Sequence, residues 1–187
     1  MERKCSMTTL ISLRRLALAL TVGALLPAAL AAQEPAASRS AFAGKLAKAR
    51  LAKFDTLDFE VYSNQRWDRF KESHAPDILV HYPDGHTTKG LEAHIAELKP
   101  MFVFAPDTHI KVHPVRTAVG EWTSVIGVME GTFTKPMPIG DGKTIAPTGK
   151  AFKLPMCTVG HWKNGLMDEE FLFWDNQSFM KQIGLAQ

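Results

Sequence analysis

The stretch that decides the fold runs Ala151-Phe152-Lys153-Leu154-Pro155-Met156-Cys157-Thr158-Val159-Gly160-His161-Trp162, turns at Lys163-Asn164-Gly165-Leu166, and returns as Met167-Asp168-Glu169-Glu170-Phe171-Leu172-Phe173-Trp174. Asn-Gly between two strand-like runs is a strong hairpin signal, because a type I′ turn needs positive φ at both central residues. A two-residue turn also sets the register: Trp162 faces Met167, Thr158 faces Phe171, Met156 faces Phe173 and Leu154 faces Asp175. One face then carries Phe152, Leu154, Met156, Thr158, Gly160 and Trp162 with Met167, Glu169, Phe171, Phe173 and Asp175. That face is mostly apolar and holds two carboxylates, Glu169 and Asp175. Burial of a carboxylate there would raise its pKa.

Working outward, Leu91 to Phe104 has apolar residues at helical spacing, and Pro106-Asp107 ends it. Ala41 to Phe54 reads as a helix with Phe42, Leu46 and Leu51 on one stripe. Leu57 to Tyr62 continues or breaks that helix. Asn64 to Phe70 reads as a short helix capped by Asn64, and Ile78 to Tyr82 as a short strand. Strands are predicted over His109 to Ala118 and Trp122 to Thr134, with a Pro- and Gly-rich loop over Pro136 to Pro147 and a closing helix after Asp175. Helices first and a meander of long strands afterwards predicts an α+β fold, with helices packed on one face of a curved, mainly antiparallel sheet around a cone-shaped cavity.

The first 31 residues read separately. Arg3, Lys4, Arg14 and Arg15 precede an apolar run from Leu16 to Leu30 that closes in small residues, the pattern of a secretory signal peptide. Gln33 to Ser40 reads as a disordered linker, so the divisions are 1–31, 32–40 and a domain over 41–187. The signal holds 4 of the 22 basic and 1 of the 19 acidic residues, leaving 18 of each. The remaining chain is neutral, which disfavours nucleic acid as partner. Export to the periplasm or medium is expected, with no membrane span after signal removal. Cys157 is left without a disulfide partner.

The residues Pro76-Asp77-Ile78-Leu79-Val80-His81-Tyr82-Pro83, Gly90, Ala105-Pro106-Asp107, Gly120-Glu121-Trp122, Gly131-Thr132-Phe133, Ala146-Pro147-Thr148-Gly149-Lys150, Asn164-Gly165, Asp175 and Gln182-Ile183-Gly184 occur in an order and spacing that resemble the SnoaL-like polyketide cyclase (ester cyclase) branch of the NTF2-like superfamily. The resemblance covers about residues 57 to 185. It implies a cone-shaped barrel with a pocket, often dimeric through the sheet, and a cofactor-free cyclase, isomerase or lyase chemistry. The characterised cyclases use an aspartate in the terminal strand for acid/base work, with a histidine on the preceding strand. Aligned on the Asn164-Gly165 turn, those positions fall at Leu172 and Thr158.

The candidate catalytic residues are Asp175 and His81. Asp175 meets the closing helix, where it is a pocket acid or an N-cap. An imidazole is the side chain whose charge changes near neutral pH, and His81 is expected to pair with Asp175 across the pocket mouth. Trp122, Thr158, Phe171 and Phe173 are the expected substrate-binding wall for a small, largely apolar molecule. A homodimer is expected on the outward face, through Val159, Leu172 and Trp174. Seven histidines bring no His-Glu-x-x-His and no Cys pair, so no metal is expected. No nucleophile elbow, phosphate loop or dinucleotide fingerprint calls for a cofactor. Two functions stand: an acid/base enzyme on a small carbonyl or ester substrate, and a non-catalytic domain that binds a small hydrophobic molecule or dimerises.

Overall fold

A computed structural model describes residues 36 to 187, with side chains from residue 41. The segment read as a signal peptide and the first part of the stretch read as a linker lie outside the described residues. Helix α1 spans Ala36–Thr56, so it begins inside the stretch read as linker. Its last turn runs into a π-helical turn, Leu57–Tyr62, and then a 3-10 turn, Trp67–Glu72. Strands β1 (His74–His81) and β2 (Thr87–Lys89) follow, then α2 (Leu91–Phe104). The rest is β3 (His109–Ile110), β4 (Val115–Val119), β5 (Trp122–Thr132), β6 (Met137–Pro138), β7 (Thr144–Ile145), β8 (Ala151–Lys163), β9 (Leu166–Phe173) and α3 (Asn176–Gln182).

The main sheet has the order β2-β1-β9-β8-β5-β3, with β4 also on β5. All pairings are antiparallel except β1 with β9. β5 and β8 form the spine, paired continuously from Trp122↔His161 to Thr132↔Ala151. Buried residues alternate along both strands, so one face of the sheet is packed and the other is open. The α+β architecture expected from sequence is the one observed. The core lies between the packed face and the helices, where Phe54, Phe70, Phe133, Leu154, Trp162 and Ile183 are fully buried.

Several elements differ in detail. Asn64 does not cap the 3-10 turn, whose N-cap is Arg66. Its side-chain amide instead donates to Phe59 O (3.2 Å) and Glu60 O (2.9 Å), while Ser63 Oγ donates to Asp58 O at 2.6 Å. Wide π-helical geometry leaves carbonyls poorly matched, and these two side chains satisfy them. β1 starts at His74, four residues earlier than expected, because an irregularity between His74 and Leu79 lets the pairing with β9 pass Pro76. The predicted strand His109 to Ala118 is two strands, and the Pro/Gly-rich loop holds the β6–β7 hairpin.

The most consequential difference is in the β8–β9 hairpin. The turn is as expected, with Asn164 at φ 52° and Gly165 at φ 82°, and Trp162 does face Met167. The register then slips: His161 pairs with Glu169, Gly160 with Glu170, Val159 with Phe171, Thr158 with Leu172 and Cys157 with Phe173. Asp168 is the extra residue, a β-bulge that reverses the side-chain parity beyond it. The buried face of β9 is therefore Met167, Glu170 and Leu172, and Glu169, Phe171 and Phe173 turn outward. Leu172 thus lies inside, contrary to its expected place on the outward dimer face. Two cross-strand contacts accompany the slip. Asp168 and Glu169 both meet histidines on the open face, His161 Nδ1 at 2.6 Å and His81 Nε2 at 2.9 Å. Gly160 accommodates the packed face, because a Cβ there would stand 2.5 Å from Met167 Sδ.

Candidate functional site

A cavity of about 400 Å³ opens between the packed sheet face, the π-helical turn and α2. Its walls are mainly Leu, Met and Phe, among them Leu57, Leu98, Met101, Met129 and Leu154. Asp58, His74, His94 and Glu170 enter this apolar space with the phenols of Tyr62 and Tyr82, and the exposed Asp84, His86 and Glu97 border it.

Asp58 comes from the π-helical turn, and its carboxylate accepts from His113 Nε2 at 2.8 Å. The other nitrogen of that ring, Nδ1, donates to Asp55 Oδ1 at 2.8 Å, and Arg116 closes the chain on Asp55. The His113 side chain is only 2% exposed and packs against Phe59, ring centroids 4.4 Å apart. Burial pushes the Asp58 carboxyl above the usual aspartate range, against the pull of His113. Burial disfavours charge on His113 too, but Asp58 and Asp55 outweigh it and raise the imidazole pKa.

A raised folded-state pKa means that the His113 contribution to stability is complete below the unfolded histidine pKa and is lost as pH rises through the folded value. Thermal melts of wild type and His113→Gln should therefore converge at alkaline pH and separate towards acid pH. Equal separation across that range would show that His113 titrates as an ordinary histidine.

The second group is a triad. His74 opens β1, His94 lies on the Leu91, Ile95 and Leu98 face of α2, and Glu170 is the residue that the bulge turns inward. Glu170 Oε2 stands 3.4 Å from His94 Nε2 and 3.8 Å from His74 Nε2. The second distance is an electrostatic contact, too long for a hydrogen bond. His74 Nδ1 stands 2.9 Å from Ser73 Oγ and 3.1 Å from Phe70 O, so Nε2 is the ring nitrogen that faces Glu170. His94 Nδ1 is 2.9 Å from the Tyr82 hydroxyl. Burial opposes ionisation of Glu170, but the two imidazoles hold its carboxyl below the usual range. Burial takes His94 down to about 4, so its ring is neutral at physiological pH. It also raises the phenol of Tyr62 and pushes Tyr82 up to about 12.

Of the residues singled out in the sequence, Thr158 lines this cavity, and so does Leu172 opposite it. Asp175 is exposed and caps α3, its carboxylate accepting from Ser178 N at 3.1 Å and Ser178 Oγ at 2.6 Å. The Ser178 hydrogen bonds lower its pKa, the opposite of the shift expected of a pocket acid. Asp175→Asn should leave the melting temperature nearly unchanged, because Asn caps about as well, whereas Asp175→Ala should lower it. Equal melts for all three would remove the capping role.

His81 lies on the open sheet face, stacked on Phe171 with ring centroids 4.1 Å apart and bonded to Glu169, not paired with Asp175. Trp122 leans on His161 at 4.7 Å and is 42% exposed, and Phe173 is 52% exposed. Trp122, Phe171 and Phe173 therefore form an outer aromatic surface and not the cavity wall, for Phe171 and Phe173 a direct result of the bulge. Sequence reasoning missed Asp58, His74, His94 and Glu170. One signal was available: His94 falls within the apolar stripe of its helix.

Among the described residues, His74, His94 and Glu170 are the cluster whose donor atoms could hold a metal ion. No described helix is long and apolar enough to cross a membrane.

Helices closing one face of a curved sheet over a polar-floored apolar cavity define an NTF2-like, ketosteroid-isomerase-like α+β protein. The chain belongs to the SnoaL-like polyketide cyclase family, whose model matches residues 54–183. Solved structures agree on the fold. A protein from Jannaschia sp. CCS1 assigned as a SnoaL-like polyketide cyclase is 19% identical, with TM-score 0.65 over 76% of this chain and 96% of that one. IdmH from Streptomyces antibioticus, assigned as a polyketide cyclase, is 20% identical, with TM-score 0.61 over 72% of this chain and 98% of its own. A Catenulispora acidiphila protein with a ketosteroid isomerase-like fold is 14% identical, with TM-score 0.57 over 73% and 93%. At these identities the likeness concerns the fold alone. No curated protein sequence matches the chain.

Proposed function

We propose that this protein is an acid/base enzyme of the cyclase, isomerase or lyase type, acting on a small, largely apolar carbonyl- or ester-bearing molecule. The observation that carries this is Asp58: a cavity carboxyl, its side chain 15% exposed, whose pKa is raised by desolvation. A carboxyl tuned toward neutrality can take a proton from carbon and return it, and side chains alone suffice for that step. The apolar walls suit the substrate body, and the Tyr62 and Tyr82 hydroxyls are donors for an oxygen on which charge develops.

A non-catalytic binding role is the second reading. It is favoured by Thr158 and Leu172, which occupy the positions aligned with the histidine and aspartate of the characterised cyclases and cannot do their proton chemistry. Solvent exchange separates the two. In D2O, an enzyme of this type should replace α-protons of small cyclic and aryl ketones by deuterium, read by NMR. A binder should shift its melting temperature with the same ketones and exchange nothing.

Export and dimerisation belong to the same proposal. The mature chain should begin at Ala32 or Gln33, and N-terminal sequencing that returned Met1 from exported material would contradict it. The dimer contact falls on the open sheet face, where Trp122, Phe171 and Phe173 gather. Light scattering should then show a dimer that Trp122→Asp converts to monomer. An unchanged mass in the variant would exclude this face.

A further inference from the structure

We infer that His74, His94 and Glu170 form a binding site for a divalent first-row transition ion, with Zn²⁺ as its natural probe. The three side chains come from β1, α2 and β9 and are 1%, 2% and 4% exposed. One donor atom from each lies within 4.8 Å of the others. Two of those atoms, His74 Nε2 and Glu170 Oε2, are buried and have no hydrogen-bond partner among the described residues. Such atoms are rare in folded proteins and call for a specific explanation.

The outer contacts point the same way. Ser73 Oγ and Phe70 O engage His74 Nδ1, at 2.9 and 3.1 Å, and leave Nε2 as the nitrogen directed at Glu170. Tyr82 stands 2.9 Å from His94 Nδ1 and can accept its proton, which frees Nε2 of that ring as well. Two imidazole nitrogens and a carboxylate oxygen that converge from three elements form a donor set that a cation can complete. Metal-bound histidines use their second nitrogen in this way. Bonds of about 2.0–2.1 Å to Zn²⁺ put tetrahedral donor atoms about 3.3 Å apart. The 3.4 Å His94–Glu170 spacing already matches and the 3.8 Å His74–Glu170 spacing is slightly long, while all three donor atoms lie within 4.8 Å of one another, so binding would draw the two imidazoles inward.

Two nitrogens and one carboxylate suit zinc or iron rather than calcium or magnesium. Three protein ligands leave a fourth position, and all three residues border the cavity. An ion there would offer a substrate oxygen a Lewis acid. No contiguous motif announces the set, because its members lie at positions 74, 94 and 170 in three different elements.

The ion site goes beyond the Asp58 chemistry and stands or falls separately from it. Chelator-stripped protein titrated with Zn²⁺ by calorimetry should bind one ion at micromolar affinity or tighter, and Co²⁺ should give the visible bands of a tetrahedral or five-coordinate site. Glu170→Gln should weaken binding by roughly a hundredfold, and Tyr82→Phe, which removes only the outer contact, by roughly tenfold. Asp58→Asn should keep the ion while losing ketone exchange. Absence of binding by wild type would overturn the inference. So would affinity unchanged in both variants, which would put the ion on exposed pairs such as His86 with Asp84. If Glu170→Gln does not fold, equal affinity of wild type and Tyr82→Phe overturns it alone.

Discussion

Asp58→Asn should reduce α-proton exchange, or any turnover found by screening, by about a hundredfold or more, because removal of a positioned general base costs at least that much. The same change should hold or raise the melting temperature at neutral pH. Folding disfavours the charged form of a carboxyl whose pKa burial has raised. The penalty is absent below the unfolded pKa, grows as pH rises through the folded one, and is complete above it. Asparagine carries no such penalty and can still accept from His113. The stability gain should therefore appear at neutral pH and vanish in acid. Loss of activity with gain of stability is the signature of a functional carboxyl, and a structural one would lose both.

Trp162→Ala should be the most damaging substitution to the fold, costing about 3–5 kcal/mol. The side chain is fully buried between β8 and the helices, and its indole Nε1 donates to Thr123 Oγ1 at 2.8 Å. Truncation would empty the space beside Met167 and leave the Thr123 hydroxyl without its indole donor. Domains of this size are stable by only about 5–15 kcal/mol, so a large fraction of the total would go. Denaturant unfolding measures it, and a loss below about 1 kcal/mol would mean that the packed face of the hairpin is not the centre of the core.

The fold was legible because it rests on local chemistry. Asn164-Gly165 specifies its turn whatever surrounds it, the Leu91 to Phe104 stripe specifies its helix, and the order of short motifs matched the family. The site was not legible, and two irregularities explain why. Phe171 and Phe173 share parity with Met167, so strict alternation buries them with Glu169. The bulge at Asp168 breaks that alternation and exchanges Glu169 for Glu170 and Phe171 for Leu172. A one-residue slip of this kind is accompanied by side-chain contacts across the sheet, to His161 and His81, which no local pattern records. The π-helical turn had the same effect at Asp58: the segment Leu57 to Tyr62 gave no clear period, so nothing local marked Asp58 as a cavity residue. Asp175 drew attention because it is a good cap, and capping is what it does.

The most direct test is a carboxyl NMR titration of ¹³C-labelled aspartate in the folded protein, comparing Asp58 with Asp175. Asp58 should titrate above the ordinary aspartate range and Asp175 below it, with the Asp58 signal identified by its loss in Asp58→Asn. An Asp58 carboxyl that titrates at the ordinary value, or below it beside Asp175, would contradict the assignment of the cavity carboxyl as the proton-transfer group.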